Sequence, residues 1–194
     1  EYAVAFHAVA SLGGVNTTVN PLYTAHELAH QLQDAGATYL LTIPQFMPNA
    51  LAAAQEAGGI KEIFVFGEAE GATPFGSLLQ SDGQFPPVEI DPQRDLVVLP
   101  YSSGTTGFPK GVMLTHYNLV ANITQCSETP STPATELRED DVALGLLPFY
   151  HIYGMVVIMS WALYKGATVV TMPRFDMEQF LTILQKYSIT YGCL

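Results

Sequence analysis

The chain has 194 residues, enough for one large domain or a piece of something larger. Apolar residues make up 48% of it and charged residues 13%, so a sizeable core forms and much of the surface is expected to be covered. A net charge of −11, with seven Lys plus Arg scattered along the chain, leaves no basic face and excludes nucleic-acid binding. The opening EYAVAFHAVASLGGV is apolar on nearly every side and reads as a buried helix ended by Gly13-Gly14, its true start lying upstream. Thr24 and Glu27 form a capping-box pattern, Leu28 and Leu32 share one face of the helix it opens, and Gly36 ends that helix. Tyr39 to Ile43 reads as a strand, Pro48 suits the first turn of a further helix closed by Gly58-Gly59, and Ile63 to Phe66 is the next strand.

Residues 67–92 are rich in Gly, Pro, Ser and acid, which predicts loop with one short helix near 77–80. Beyond Asp95 the alternation resumes: a strand over 96–101, a glycine-rich loop, a strand over 111–115 and a helix over 116–127. A polar connection leads to a strand over 142–147, a helix near 153–164, a strand over 167–172, a helix over 176–187 and a strand over 189–193. Such alternation predicts a layered α/β fold of mostly parallel sheets with flanking helices. Two subregions, 1–66 and 95–194, are expected, joined by the loop-rich segment 67–94. Both ends read as cuts through a larger fold. Cys126 and Cys193 show no disulfide or metal spacing, which favours a reducing compartment. The longest apolar run, Ile152 to Tyr164, is too short to span a bilayer.

The stretch YSSGTTGFPKG, residues 101–111, concentrates chemistry. Glycines at 104, 107 and 111 permit positive φ and close backbone approach, Ser102, Ser103, Thr105 and Thr106 add hydroxyl donors, and Lys110 adds a cation. These parts suit a polyphosphate; the competing reading is a solvated hairpin loop. The common P-loop does not fit, because Pro109 stands where its second glycine belongs and Gly111 follows the lysine.

YSSGTTGFPKGVMLTHYNLVAN closely resembles the signature of the adenylate-forming superfamily, which includes acyl-CoA synthetases, coumarate–CoA ligases, luciferases and peptide-synthetase adenylation domains. GGVNTTVNPLYTAHELAHQLQDAGATYLLT, LLPFYHIYGM and GATVVTMPRFDMEQFLTILQKYSIT are similar to its other segments, in order along nearly the whole chain. NPLYT, HIYGM and RFDMEQFL are closest to the coumarate–CoA ligase and luciferase branch. The resemblance implies a part of the large N-terminal domain of that fold, without its C-terminal domain. It implies an enzyme that uses ATP, Mg²⁺ and CoA to turn a small-molecule carboxylic acid into an acyl-adenylate and then a thioester. A non-catalytic phosphate-binding module, luciferase-like oxidation and carrier-protein loading stay open. By resemblance, Ser102, Ser103, Gly104, Thr105, Thr106, Gly107 and Lys110 hold the phosphates, with Lys110 also catalytic. His151 lies beside the acyl carboxylate as the second catalytic residue, Tyr150 gates the thiol path and Tyr153 lines the acyl pocket. A core histidine is the competing reading of His151. No metal ligands are assigned, His116 and Asn118 are read as helix-capping, and a cytoplasmic location is expected with a peroxisomal address left open.

Overall fold

The computed structural model describes residues 1–102, 109–128 and 136–192. Helix α1 (Tyr2–Ser11) is followed by Gly13 at φ +71° and by Gly14, whose amide donates to the Val9 carbonyl at 2.9 Å, a left-handed stop. Only Ala5 and Phe6 of α1 are buried, while Val4 and Val9 are exposed. The expected all-round burial does not hold, because neighbours pack only along the Ala5–Phe6 side.

Strand β1 (Asn16–Thr18) leads to α2 (Ala25–Asp34). Thr24 accepts the Glu27 amide, and the Glu27 carboxylate accepts the Thr24 amide at 2.8 Å, completing the capping box. Leu28, Ala29 and Leu32 of α2 pack with Ala53 of α3 (Met47–Ala57) into one core cluster. Between these helices runs β2 (Tyr39–Thr42). Pro48 sits in the first turn of α3, and Gly58 closes it at φ 72°. Strand β3 (Glu62–Val65) follows, then β4 (Thr73–Pro74) and a 3₁₀ helix, Phe75–Gln80.

Next come β5 (Leu96–Ser102), β6 (Lys110–Gly111), β7 (Leu114–Thr115) and α4 (His116–Glu128). The strand expected over 111–115 is two short pieces: the Val112 amide still donates to the Pro100 carbonyl at 2.8 Å, in register with β6, and Met113 then faces solvent. Strand β8 (Val142–Gly145) precedes a π-helical stretch, Gly154–Ser160, that runs into α5 (Trp161–Lys165). The sequence predicts an ordinary helix there; instead the Trp161 amide donates to the Val156 carbonyl, five residues back, and the Ser160 hydroxyl donates to the Met155 carbonyl at 2.8 Å. The chain continues through β9 (Thr168–Thr171), α6 (Met177–Lys186) and β10 (Tyr191–Gly192). Asp176 caps α6 by accepting the Gln179 amide at 2.9 Å.

Two compact units result. The first comprises Glu1–Ile90 with Leu96–Met113, and the second Asp91–Asp95 with the chain from Leu114 onward. In the first, β2, β3 and β4 form a parallel sheet, while β5 pairs parallel with β1 and antiparallel with β6. In the second, β8 lies between β10 and β9, all parallel. The units divide differently from the subregions 1–66 and 95–194. Pairing with β1 draws β5 and β6 into the first unit, and β4 extends the β2–β3 sheet, so 67–90 is not merely a linker.

Leu137, Ala143, Trp161, Ala162 and Ala167 form the core of the second unit. The Trp161 indole N–H donates to the Ser127 hydroxyl at 3.0 Å, and its ring meets that of Tyr191 edge-on, centroids 5.8 Å apart. At the amino-terminal ends of β8 and β10, the Asp141 carboxylate accepts the Thr190 hydroxyl and the Arg138 amide, each at 2.7 Å. The Thr190 oxygen in turn accepts the Val142 amide at 2.9 Å. The bonds from Thr190 and Arg138 hold the Asp141 carboxyl below its usual range. Among the described residues, no helix is long and apolar enough to cross a membrane.

Candidate functional site

Strand β5 is fixed from its middle outward. It pairs Val98, Leu99 and Pro100 with Asn16, Thr17 and Thr18 of β1. The Asn16 amide donates to the Phe6 carbonyl at 3.1 Å and the Val97 carbonyl at 3.4 Å, and the Thr17 hydroxyl donates to the Leu99 carbonyl at 3.0 Å. Its buried residues, Val97, Val98 and Pro100, give way to a half-buried Tyr101 and an exposed Ser102. Strand β6 returns beside it, pairing Gly111 with Tyr101 and Lys110 with Ser102. Ser102 and Lys110 are thus brought side by side, and both are exposed. Lys110 belongs to neither of the ion pairs made among the described residues, His26–Glu56 and Arg138–Glu136. Ser103, Gly104, Thr105, Thr106 and Gly107 lie outside the described residues.

The role expected of Gly111 changes. Its φ is not positive. A Cβ there would stand 3.2 Å from two ring carbons of Tyr101 and 3.3 Å from its hydroxyl. Glycine there gives β6 room beside the tyrosine ring. The Tyr101 hydroxyl donates to the Asp34 carboxylate at 2.6 Å. Burial and that carboxylate push the phenol pKa far above its usual value, so Tyr101 remains a donor.

His151 belongs to the second unit. It follows the carboxyl end of β8, the middle strand of its sheet, which is where open α/β sheets present ligand-binding groups. The strand stops at Gly145, two residues earlier than predicted. A Cβ on Gly145 would meet the Phe149 ring at 3.3 Å and the Val169 side chain at 3.1 Å. The chain then turns, the His151 amide donating to the Pro148 carbonyl at 3.1 Å. Gly154 is compulsory, since a Cβ on it would lie 2.2 Å from the Pro148 carbonyl oxygen. His151 is exposed, Tyr150 half-buried and Tyr153 41% exposed, so the aromatic-histidine segment is a surface and not core filling. His151 Nδ1 accepts the Tyr153 amide at 3.3 Å, which leaves the proton of the neutral ring on Nε2.

Asn118 has the capping role expected of it. Its side-chain oxygen accepts the Thr115 amide at 2.9 Å and its own amide donates to the Thr115 hydroxyl at 3.3 Å. His116 does not cap through its side chain: its Nε2 is buried with no hydrogen-bond partner among the described residues. Among the described residues, no group of three His, Cys, Asp or Glu could hold a metal ion. Sequence reasoning passed over Tyr101 and Asp34. The one local signal was an acid at the C-terminal end of a helix, where the dipole disfavours it.

Comparison with known proteins adds identity to this geometry. The AMP-binding enzyme family matches residues 1–194. The 4-coumarate–CoA ligase 5 of Oryza sativa subsp. japonica is 42% identical over 195 residues, covering 100% of this chain and 35% of that protein. The solved structure of a long-chain-fatty-acid–CoA ligase from Archaeoglobus fulgidus superposes with TM-score 0.84 at 30% identity, covering 98% of this chain and 37% of its own. ATP-bound MatB from Rhodopseudomonas palustris gives TM-score 0.78 at 27% identity, covering 95% and 35%. The chain spans about 35% of the length of the curated relatives it matches. With the parallel α/β sheets, the hairpin bearing Ser102 and Lys110, and the match along its full length, the chain belongs to the AMP-binding enzyme family.

Proposed function

We propose that this chain is the ATP-handling part of an acid–CoA ligase, which joins a carboxylate to AMP and passes the acyl group to CoA. The observation that carries this reading is the pairing of Ser102 with Lys110 at the two arms of SSGTTGFPKG, in a chain matched throughout by the AMP-binding enzyme family. A carboxylate oxygen attacks the α-phosphorus of ATP, the bond from that phosphorus to the bridging oxygen breaks, and pyrophosphate leaves. The CoA sulfur then attacks the acyl carbon, AMP leaves, and the thiol proton passes to solvent. The protein's share is to align these groups and stabilise negative charge.

Residues 102–107 and Lys110 hold the β- and γ-phosphates in this reading. His151 donates from Nε2–H to the acyl carboxylate, Tyr150 flanks the thiol path and Tyr153 lines the acyl pocket. The Lys110 ammonium suits phosphate oxygens and repels a cation, so Mg²⁺ would come with the nucleotide and neutralise phosphate charge when bound. The names of the relatives and the aromatic run Phe149-Tyr150 support an aryl or fatty acid as substrate. The scarcity of cysteine and the free thiol of Cys126 support a cytoplasmic setting.

The test is carboxylate-dependent ATP–pyrophosphate exchange by the protein in its longest natural form, over a panel of aryl and fatty acids. Lys110→Ala is expected to cut exchange by about 10²-fold, as loss of one oxyanion donor does. Exchange absent with every acid from a protein that still binds ATP overturns the ligase reading. Unchanged exchange in the variant removes Lys110 from the phosphate site.

A further inference from the structure

We propose that Tyr101 and Asp34 are positioning residues for the phosphate site, tying the end of β5 to the end of α2 and so fixing where Ser102 and Lys110 stand. The tether deepens the ligase reading and rests on it for its effect on ATP. The bond is short, 2.6 Å, and joins residues 67 apart in sequence. One side chain restrains both arms of the hairpin. Its backbone belongs to β5, and its ring lies against Gly111 of β6, where even a methyl group would crowd two ring carbons and the hydroxyl oxygen. Side chains alternate along a strand, so Tyr101 and Gly111 occupy one face while Ser102 and Lys110 share the other. Holding the first pair therefore sets the orientation of the second.

Further details agree. Asp34 is the last residue of α2, at the negative pole of the helix, where a carboxylate is locally unfavourable. The phenol O–H supplies the partner that offsets this. Pro109, just before Lys110, lines a small cleft with Tyr101, His30 and Gln31, so the surface of α2 underlies the returning arm as well. The bond is too exposed to contribute much to global stability. It does restrict two residues whose placement decides how well a phosphate is met, and small misplacements are costly in catalysis.

The experiment makes Tyr101→Phe, Asp34→Ala and Asp34→Asn in the longest natural form of the protein. Two readouts are taken: hydrogen–deuterium exchange at the Val112 amide, which closes the hairpin onto Pro100, and KM for ATP in pyrophosphate exchange. Tyr101→Phe and Asp34→Ala are expected to speed exchange at Val112 and to raise KM for ATP about tenfold, the size of one lost hydrogen bond. KM for CoA and Tm should stay at wild-type values, and Asp34→Asn, which keeps an acceptor, should be milder. A lower Tm with unchanged KM for ATP would mean a merely structural bond and overturns the proposal, as does wild-type exchange at Val112. If the wild-type enzyme shows no carboxylate-dependent turnover, the ligase reading fails, and the tether is judged on Val112 alone.

Discussion

At the scale of single side chains, the Nδ1 atom of His151 is occupied by the Tyr153 amide, so the ring meets a ligand through Nε2–H. In the proposed ligase reading it therefore donates a hydrogen bond to the acyl carboxylate rather than abstracting a proton. His151→Ala is expected to lower turnover by about 10²-fold and His151→Gln, which keeps a donor, by less. Calorimetry should give both variants the wild-type Tm, since the side chain is exposed. A variant that melts many degrees lower but keeps its activity per folded molecule would restore the core reading. The value of Gly111 belongs to the same scale. The sequence shows a third glycine in a glycine-rich loop, but only the folded hairpin shows the ring that a larger residue would crowd.

Among the elements, the π-helical stretch has the tightest entrance. Gly154→Ala would drive a methyl group into the Pro148 carbonyl, a backbone atom that cannot rotate away. It is expected to cost about 3 kcal/mol, the upper end for overpacking, as a lower midpoint in urea unfolding. Wild-type stability in this variant would mean that the turn relaxes freely. The Asp141–Thr190 staple sets a pH dependence. Its folded pKa lies below the usual 3.8, so its contribution is present above that value and is lost as pH falls through the folded pKa. Asp141→Asn should cost about 1 kcal/mol at neutral pH, modest because the site is open to solvent. The difference from wild type should close as pH falls through the folded pKa and the carboxylate is protonated. A gap that persists in acid would show that the charge is irrelevant. Local signals were enough for α2, α3 and α6, because a capping box, a first-turn proline or a left-handed glycine acts within a few residues. Strand β4 was not legible: it is two residues long, one of them proline. Nor was the π-helix, since an apolar run reads alike whether carbonyls are accepted four or five residues on.

For the whole molecule, contacts across long separations left the least trace in the sequence. The pairing of β1 with β5, which assigns 96–113 to the first unit, has no local signal. The bond from Tyr101 to Asp34 has none beyond an ill-placed acid. The candidate phosphate residues were legible from the order of residue types alone, and only Ser102 and Lys110 among them fall within the described residues. Much apolar surface is uncovered: α6 buries no residue, and Met177 and Leu181 on it are 58% and 57% exposed. Expressed as these 194 residues, the chain is expected to self-associate. Light scattering checks this, and Leu181→Lys should raise the monomer fraction. A monodisperse sample would show that the exposed face needs no cover.

The single tryptophan has an optical consequence. Trp161 is 3% exposed, lies in the core of the second unit and is the chain's one indole. Its fluorescence is therefore a private signal from that unit, silent about the first. Circular dichroism sums over both. Overlaid denaturation curves from the two methods would show whether the units melt as one cooperative body, and a fluorescence transition that precedes or trails the ellipticity would measure how far each folds on its own account.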